Sequence, residues 1–263
     1  MPFPESRRVS YAKNPLDKVI CQLRFPPILK IDSEPPAAFQ DVIRKDYPMY
    51  GENVTIQQGI NIGMNPQNQQ EIIKRLINPP AIKNHEFRSP DNGFQINLTR
   101  TFLSLSTNKY ISWEDFSKRF KEIYDAFIKL YSPPFFIRIG LRYIDIIDRA
   151  ALKLNNTDWK ELIKPHFLGL LAEIDDTCVT NFNNNYVISL TDKESFLNLS
   201  TSFVYKAATS EKCFMISSDF NTPKRIEYSN VFEKLDFLHV RATRLIRWGI
   251  TDKLHNAMGP SFI

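Results

Sequence analysis

The chain is 263 residues long, 43% hydrophobic and 13% aromatic, with 20 phenylalanines, the composition of a packed globular protein and not of a disordered one. Eight glycines in that length argue against a glycine-rich, phosphate-cradling nucleotide enzyme. The net charge of +5 and a pI near 9.0 permit an acidic partner without requiring one.

Cys21, Cys178 and Cys213 are far apart and in no paired spacing, which points to free thiols in a reducing cytosol and to neither a disulfide framework nor a zinc site. The N-terminal MPFPESRRVSYAKNP has no apolar secretion core, and no window approaches about 18 uninterrupted apolar residues. A cytoplasmic protein without a membrane span is expected.

Residues 1–16 read as a basic, proline-rich extended arm. VICQLRF at 19–25 alternates apolar Val19, Cys21, Leu23 and Phe25 with Gln22 and Arg24, predicting a strand stopped by Pro26-Pro27. Glu34-Pro35-Pro36 opens a short helix with Phe39 and Ile43 inward. Val54–Ile62 predicts a strand and Asn65–Gln69 a turn, while Glu71–Ile77 fits either helix or strand, with strand preferred. His85–Arg88 and Phe94–Leu105 predict two antiparallel strands about a turn at 89–93. Trp113, Phe116, Phe120, Ile123, Phe127 and Leu130 then recur at spacings of three and four behind a Ser112 N-cap with Asp115 at the third position. This predicts an amphipathic helix of about five turns, stopped by Pro133-Pro134.

FFIRIGLRYID at 135–145 is the second strongly alternating strand. Ile137, Ile139, Leu141 and Tyr143 share one face, Arg138, Gly140 and Arg142 the other. It echoes the first strand at an offset of 142 − 24 = 118 residues. A short helix at Asp158–Ile163, strands at about Thr177–Thr191, Phe196–Tyr205 and Lys212–Asp219, a long helix at about Ser229–Gly249 and a short one at Thr251–Met258 follow. In the long helix Phe232, Leu235, His239, Ala242, Ile246 and Gly249 repeat the earlier spacing at an offset of 232 − 113 = 119, and INLTRTFL at 96–103 matches LNLSTSFV at 197–204 at an offset of 101. These matches predict an internally duplicated α+β unit. A twisted antiparallel sheet would pack two long amphipathic helices on one face, with an arm at 1–16, one repeat at 17–132 and a second at 133–263.

Asn14-Pro15-Leu16 with Leu23-Arg24-Phe25-Pro26, Gly140-Leu141-Arg142-Tyr143-Ile144, and Ile250-Thr251-Asp252-Lys253-Leu254-His255 together resemble, over essentially the full length, a sporadically distributed prokaryotic family without an assigned activity. The resemblance implies a bacterial or archaeal accessory gene, of the defence or toxin–antitoxin kind, and transfers no catalytic residue.

Catalytic signals are absent from the sequence. No GxSxG, GxxxxGK[ST] or strand-linked GxGxxG occurs. His85, His166, His239 and His255 stand at no compact metal-ligand spacing, and His239 falls on the apolar stripe of its helix, the position of a core histidine. Asp145 with Asp148, and Glu173 with Asp175 and Asp176, are candidate acid–base or magnesium pairs, but a strand end and a solvated turn account for them.

The arginines carry the binding hypotheses. Arg24, Arg138 and Arg142 must be solvated, paired or lining a groove. Arg241, Arg244 and Arg247, spaced by three, form a stripe suited to phosphates or acidic side chains. The expected function is a non-catalytic protein with no cofactor and no metal, presenting its duplicated sheet to a protein partner. Alternatives are a nucleic-acid-binding protein using an arginine-rich groove, and an enzyme or sensor for a small anionic ligand held between sheet and helices near Arg24 and Arg142. Unpaired strand edges make a homodimer a further expectation.

Overall fold

In the computed structural model of the protein, residues 3–56, 81–207 and 209–262 are described. They form a mixed α+β structure of seven α-helices and eleven strands, dominated by an antiparallel nine-stranded sheet. Its strands are β2 (Leu16–Arg24), β3 (Met49–Ile56), β4 (Ala81–Arg88), β5 (Phe94–Leu98), β6 (Phe102–Thr107), β7 (Arg138–Ile147), β8 (Asn183–Ser189), β9 (Phe196–Tyr205) and β10 (Lys212–Thr222). They lie in the order β3-β4-β5-β6-β2-β7-β10-β9-β8. β2 and β7 are the central pair, with Gln22 opposite Gly140 and Arg24 opposite Arg138. In the first half of the chain the last strand made, β6, returns beside β2; in the second half the last made, β10, returns beside β7.

Alternation decides which way each central strand faces. In β2, Val19, Cys21 and Leu23 are fully buried while Arg24 is exposed; in β7, Ile139, Leu141, Tyr143, Asp145 and Ile147 are buried while Arg142 is exposed. β7 starts at Arg138, later than its sequence pattern predicts. Phe136 is buried and bridges Ile226 ahead of the strand, so Ile137 turns outward and is 45% exposed instead of joining Ile139 and Leu141.

The helices are α1 (Lys30–Ser33), α2 (Ala37–Ile43), α3 (Trp113–Tyr131), α4 (Trp159–Leu162), α5 (Pro165–Leu168), α6 (Val231–Gly249) and α7 (Asp252–Ala257). α3 begins as its sequence predicts: the Ser112 side chain accepts a hydrogen bond from the Asp115 amide at 3.2 Å, satisfying one of the orphan donors of the first turn. It ends at Ser132, which takes a left-handed φ of 41° before Pro133. From its buried face Phe127 packs on Phe25 at 4.8 Å between ring centroids. Contacts between α6 and α3 include the Trp113 indole N–H donating to Asp236 at 2.6 Å, the Trp113 ring stacking on His239 at 4.5 Å and Tyr124 meeting Phe232 edge-on at 5.3 Å. A single apolar core runs through residues of both halves of the chain.

The N-terminal arm is packed. β1 (Val9–Tyr11) pairs with the C-terminal β11 (Pro260–Phe262), and Phe3 is buried with its ring 5.3 Å from that of Trp248. Three further expectations change. The segment 94–105 is two strands, because the Thr99 hydroxyl accepts from the Thr101 and Phe102 amides and turns the chain without glycine or proline. INLTRTFL is therefore strand, turn and strand, whereas LNLSTSFV lies wholly within β9, so the two segments are not conformationally equivalent. The strand expected from Thr177 begins only at Asn183, after a 3-10 turn capped by Asp175. The expectations for Asn65–Gln69 and Glu71–Ile77, and for Val54–Ile62 beyond Ile56, lie outside the described residues.

Gly249 ends α6 against the ring of Phe167, where an added Cβ would lie 2.2 Å from a ring carbon. Gly51 has nothing within 4 Å of the same point. Gly249→Ala is therefore expected to cost about 1–3 kcal/mol of stability through overpacking, and Gly51→Ala to stay within about 0.5 kcal/mol of the parent. Urea unfolding of the two variants measures both, and equal stabilities would refute the packing assignment.

Candidate functional site

The predicted arginines separate into two groups on opposite sides of the sheet. Arg24, Arg138 and Arg142 come together on the side of β2 and β7 that faces away from Cys21, Leu141 and Tyr143. Arg138 donates two hydrogen bonds to the Asp219 carboxylate, at 3.0 and 2.7 Å, and one to Gln22 Oε1 at 3.3 Å. Gly140 makes this reach possible: a Cβ there would lie 2.4 Å from the Arg138 guanidinium. Arg24 donates to the same Gln22 oxygen at 3.2 Å, and Arg142 to the Ser217 hydroxyl at 3.0 Å. Arg138 is thus neutralised by Asp219, while Arg24 and Arg142 are solvent-exposed and bonded to neutral groups.

Cross-strand register continues this polar surface outward. Gln22 is opposite Ser104, Ser104 opposite Asn97 and Asn97 opposite Glu86. On the other side Asp219 is opposite Asn198, and Ser200 opposite Asn185. Side-chain amides and hydroxyls dominate these rows, in which Ser104 and Glu86 are buried while Asn185 and Asn198 are exposed and Gln22, Asn97 and Ser200 half-buried, so the accessible ones offer donors and acceptors at the strand spacing.

Arg241, Arg244 and Arg247 do not join that surface and do not act as one stripe. Arg241 donates to the Phe237 carbonyl at 2.8 Å and lies over the Phe237 ring; Arg244 pairs with Glu5 of the arm; Arg247 pairs with Asp252 of α7. Spacing by three on a helix fans the side chains through a wide arc, and each finds a different local partner. Alternation in β2 and β7 puts Arg24 and Arg142 on the side away from α6, so they do not line the space between β7 and that helix.

A different set of residues lines the space between sheet and helices. A partly open cavity of about 150 Å³ is lined by β7, β10, α6, the arm and the approach to α3. Its polar groups include Tyr143, Asp145, Ser218, His239, Tyr11 and Arg247. The Tyr143 hydroxyl and His239 Nδ1 share a hydrogen bond of 2.8 Å, and the Tyr11 hydroxyl shares one of 2.8 Å with His255 Nδ1. Asp145 is 8% exposed, and its carboxylate is engaged in no hydrogen bond or ion pair. Burial alone pushes its pKa up from 3.8 to about 7. Burial acts on His239 in the opposite sense, lowering it from 6.5 to about 4, so the imidazole is neutral.

Asp145 does not pair with Asp148, which instead accepts from Lys206 and from the Ala151 amide. The sequence signal for the cavity was the phase of β7: Tyr143 and Asp145 share the buried parity with Leu141, and an aspartate at that parity is a buried carboxylate.

Among the described residues no group of three His, Cys, Asp or Glu side chains is placed to hold a metal ion, and no helix is long and apolar enough to cross a membrane. Comparison of the chain with models of protein families, with curated proteins and with solved structures finds no match.

The two buried groups make opposing contributions to stability. Between pH of about 4 and about 7 the unfolded chain loses the Asp145 proton that the folded chain retains, so this contribution falls as pH rises. Below pH of about 6.5 the unfolded chain protonates His239 while the folded chain does not, so that contribution falls as pH drops towards 4. Asp145→Asn is expected to be more stable than the parent at pH 8, by an amount on the order of a few kcal/mol at about 1.4 kcal/mol per pKa unit, with the difference vanishing near pH 4. His239→Gln is expected to lose the acid-side decline. Urea titrations across this range measure both, and parallel curves for parent and Asp145→Asn would contradict a buried, unpaired carboxylate.

Proposed function

We propose that the chain is a non-catalytic binding protein that presents the polar surface of its sheet to an acidic protein partner. The observation that carries this reading is the pair of exposed arginines, Arg24 and Arg142, which project from the two central strands with only neutral hydrogen-bond partners. They are surrounded by rows of amide and hydroxyl side chains. A guanidinium that has exchanged no water for a carboxylate keeps its capacity for bidentate recognition of one.

A protein suits this surface better than a nucleic acid. A phosphate backbone requires many compensating cations, whereas Arg138 is already paired with Asp219 and Arg88 with Glu86. The rows around Gln22 are amides and hydroxyls rather than the aromatic platforms on which bases stack.

The reading includes an internal duplication, with each copy contributing a central strand, a returning hairpin and a long helix on a common side of the sheet. The two helices support it: each has 19 residues, and they begin at Trp113 and Val231, an offset of 231 − 113 = 118 that equals the offset of Arg24 and Arg142. On this reading Gln22 and Gly140, 118 residues apart and opposite each other, mark the pseudo-two-fold axis. The motifs around Leu23-Arg24-Phe25 and Gly140-Leu141-Arg142 then fall on the centre of the binding surface. That accords with membership of the prokaryotic accessory family they resemble, with a cytoplasmic partner encoded nearby.

The test is co-purification of the tagged full chain from its host, in parallel with Arg24→Glu/Arg142→Glu. Both positions are exposed, so the double variant is expected to unfold within about 1 kcal/mol of the parent while losing a specific partner by at least about tenfold. Retention of the same partner by the double variant refutes the surface. Binding of oligonucleotides with a steep salt dependence replaces the protein reading with the nucleic-acid one.

A further inference from the structure

The cavity between β7, β10 and α6 lies on the other side of the sheet from the arginine surface and calls for its own ligand. Its charge balance is one-sided. Arg8, at the mouth, is held by Glu114 through two hydrogen bonds of 2.6 and 2.9 Å, and Arg247 is held by Asp252. Arg7 is solvent-exposed with its guanidinium 6.0 Å from the Phe262 ring centre. The inner group, Asp145, is more than nine-tenths buried, borders the open space, and has no partner of its own. A carboxylate that is largely buried and left without a hydrogen-bond or ionic partner is unfavourable, and a hydrogen-bonding cation delivered to it by a ligand offsets that penalty.

The rest of the lining fits such a ligand. Tyr11, Tyr110 and Tyr143 bring aromatic rings to the same space, of the kind that stabilise an ammonium group through their faces. Ile216, Leu245 and Ile246 supply apolar wall. About 150 Å³ exceeds what one water needs by roughly an order of magnitude.

We propose that this cavity is a binding site for a small amphipathic amine, whose protonated nitrogen donates to the Asp145 carboxylate and whose apolar body lies against Ile216, Leu245 and Ile246. The association is non-covalent. Because burial holds the Asp145 carboxyl partly protonated near neutral pH, docking of an ammonium group displaces that proton to the solvent. Proton release is therefore a signature that simple filling of an apolar void does not produce. The other titratable or polar groups of the cavity include Tyr143 on its own strand, Ser218 on β10, His239 and Arg247 on α6, Tyr110 ahead of α3, and Arg7, Arg8 and Tyr11 on the arm. Of these His239 is already neutral above pH of about 4, so near pH 6.5 the proton released is that of Asp145.

The experiment uses the full chain with benzylamine, benzyl alcohol and benzoate as probes, in thermal unfolding and in calorimetric titration at pH 6.5 in two buffers of different ionisation enthalpy. The expected result is a rise in Tm with benzylamine, a smaller one with benzyl alcohol and none with benzoate, with buffer-dependent heat for the amine alone. Asp145→Asn is expected to weaken benzylamine binding at least tenfold, to abolish proton release and to leave the response to benzyl alcohol unchanged. Ala242→Leu, which fills the cavity from α6 without touching a charge, is expected to weaken the amine and the alcohol together. Equal responses to amine and alcohol in the parent, stronger binding of benzoate, or no response to the amine would each overturn the proposal.

Discussion

The antiparallel pairing of β2 with β7 is the constraint on which the rest of the molecule depends. These strands are 118 residues apart when measured from Arg24 to Arg142, so their pairing closes a long loop and its entropic cost is recovered only when both neighbours, β6 and β10, also pair. Once the register sets Gln22 opposite Gly140, alternation fixes the side on which every other residue of both strands lies. A slip of one position would bring Arg138 and Arg142 into the core and expel Leu141 and Tyr143. The two halves therefore share one sheet and one apolar core.

The same register produces two chemically unlike surfaces. One gathers guanidinium, amide and hydroxyl groups whose hydrogen-bonding capacity is only partly used within the protein. The other is mainly aliphatic and aromatic, and it tolerates Tyr143 because its hydroxyl meets His239. Asp145 departs from that rule. It occupies a position where alternation demands burial, without a partner to offset the lost hydration, and natural proteins retain such conflicts chiefly where function requires them.

Electrostatics also separate what helical spacing alone would join. Arg241, Arg244 and Arg247 look alike in sequence, yet each is drawn to a different neighbour, and the partners Glu5 and Asp252 belong to opposite ends of the chain. Surface pairs of this kind contribute little to stability individually. Here they tie the arm and α7 to α6.

Local chemistry was enough to read much of the fold from the sequence. The Ser112 cap and the three-four apolar spacing define α3, the alternation of 19–25 and 135–145 locates the central strands, though the second starts only at Arg138, and the paired prolines at 26–27 and 133–134 mark their borders, because each signal acts over a few residues. The turn at Thr99 escaped because a hydroxyl performs there what glycine or proline usually performs. Long-range consequences required the tertiary structure. That Arg24, Arg138 and Arg142 converge while the α6 arginines diverge depends on strand register and on which partners the termini bring. Likewise Asp145 is an ordinary strand-end acid in one dimension, and it becomes a buried, unpaired carboxylate only when β10, α6 and the N-terminal arm enclose it.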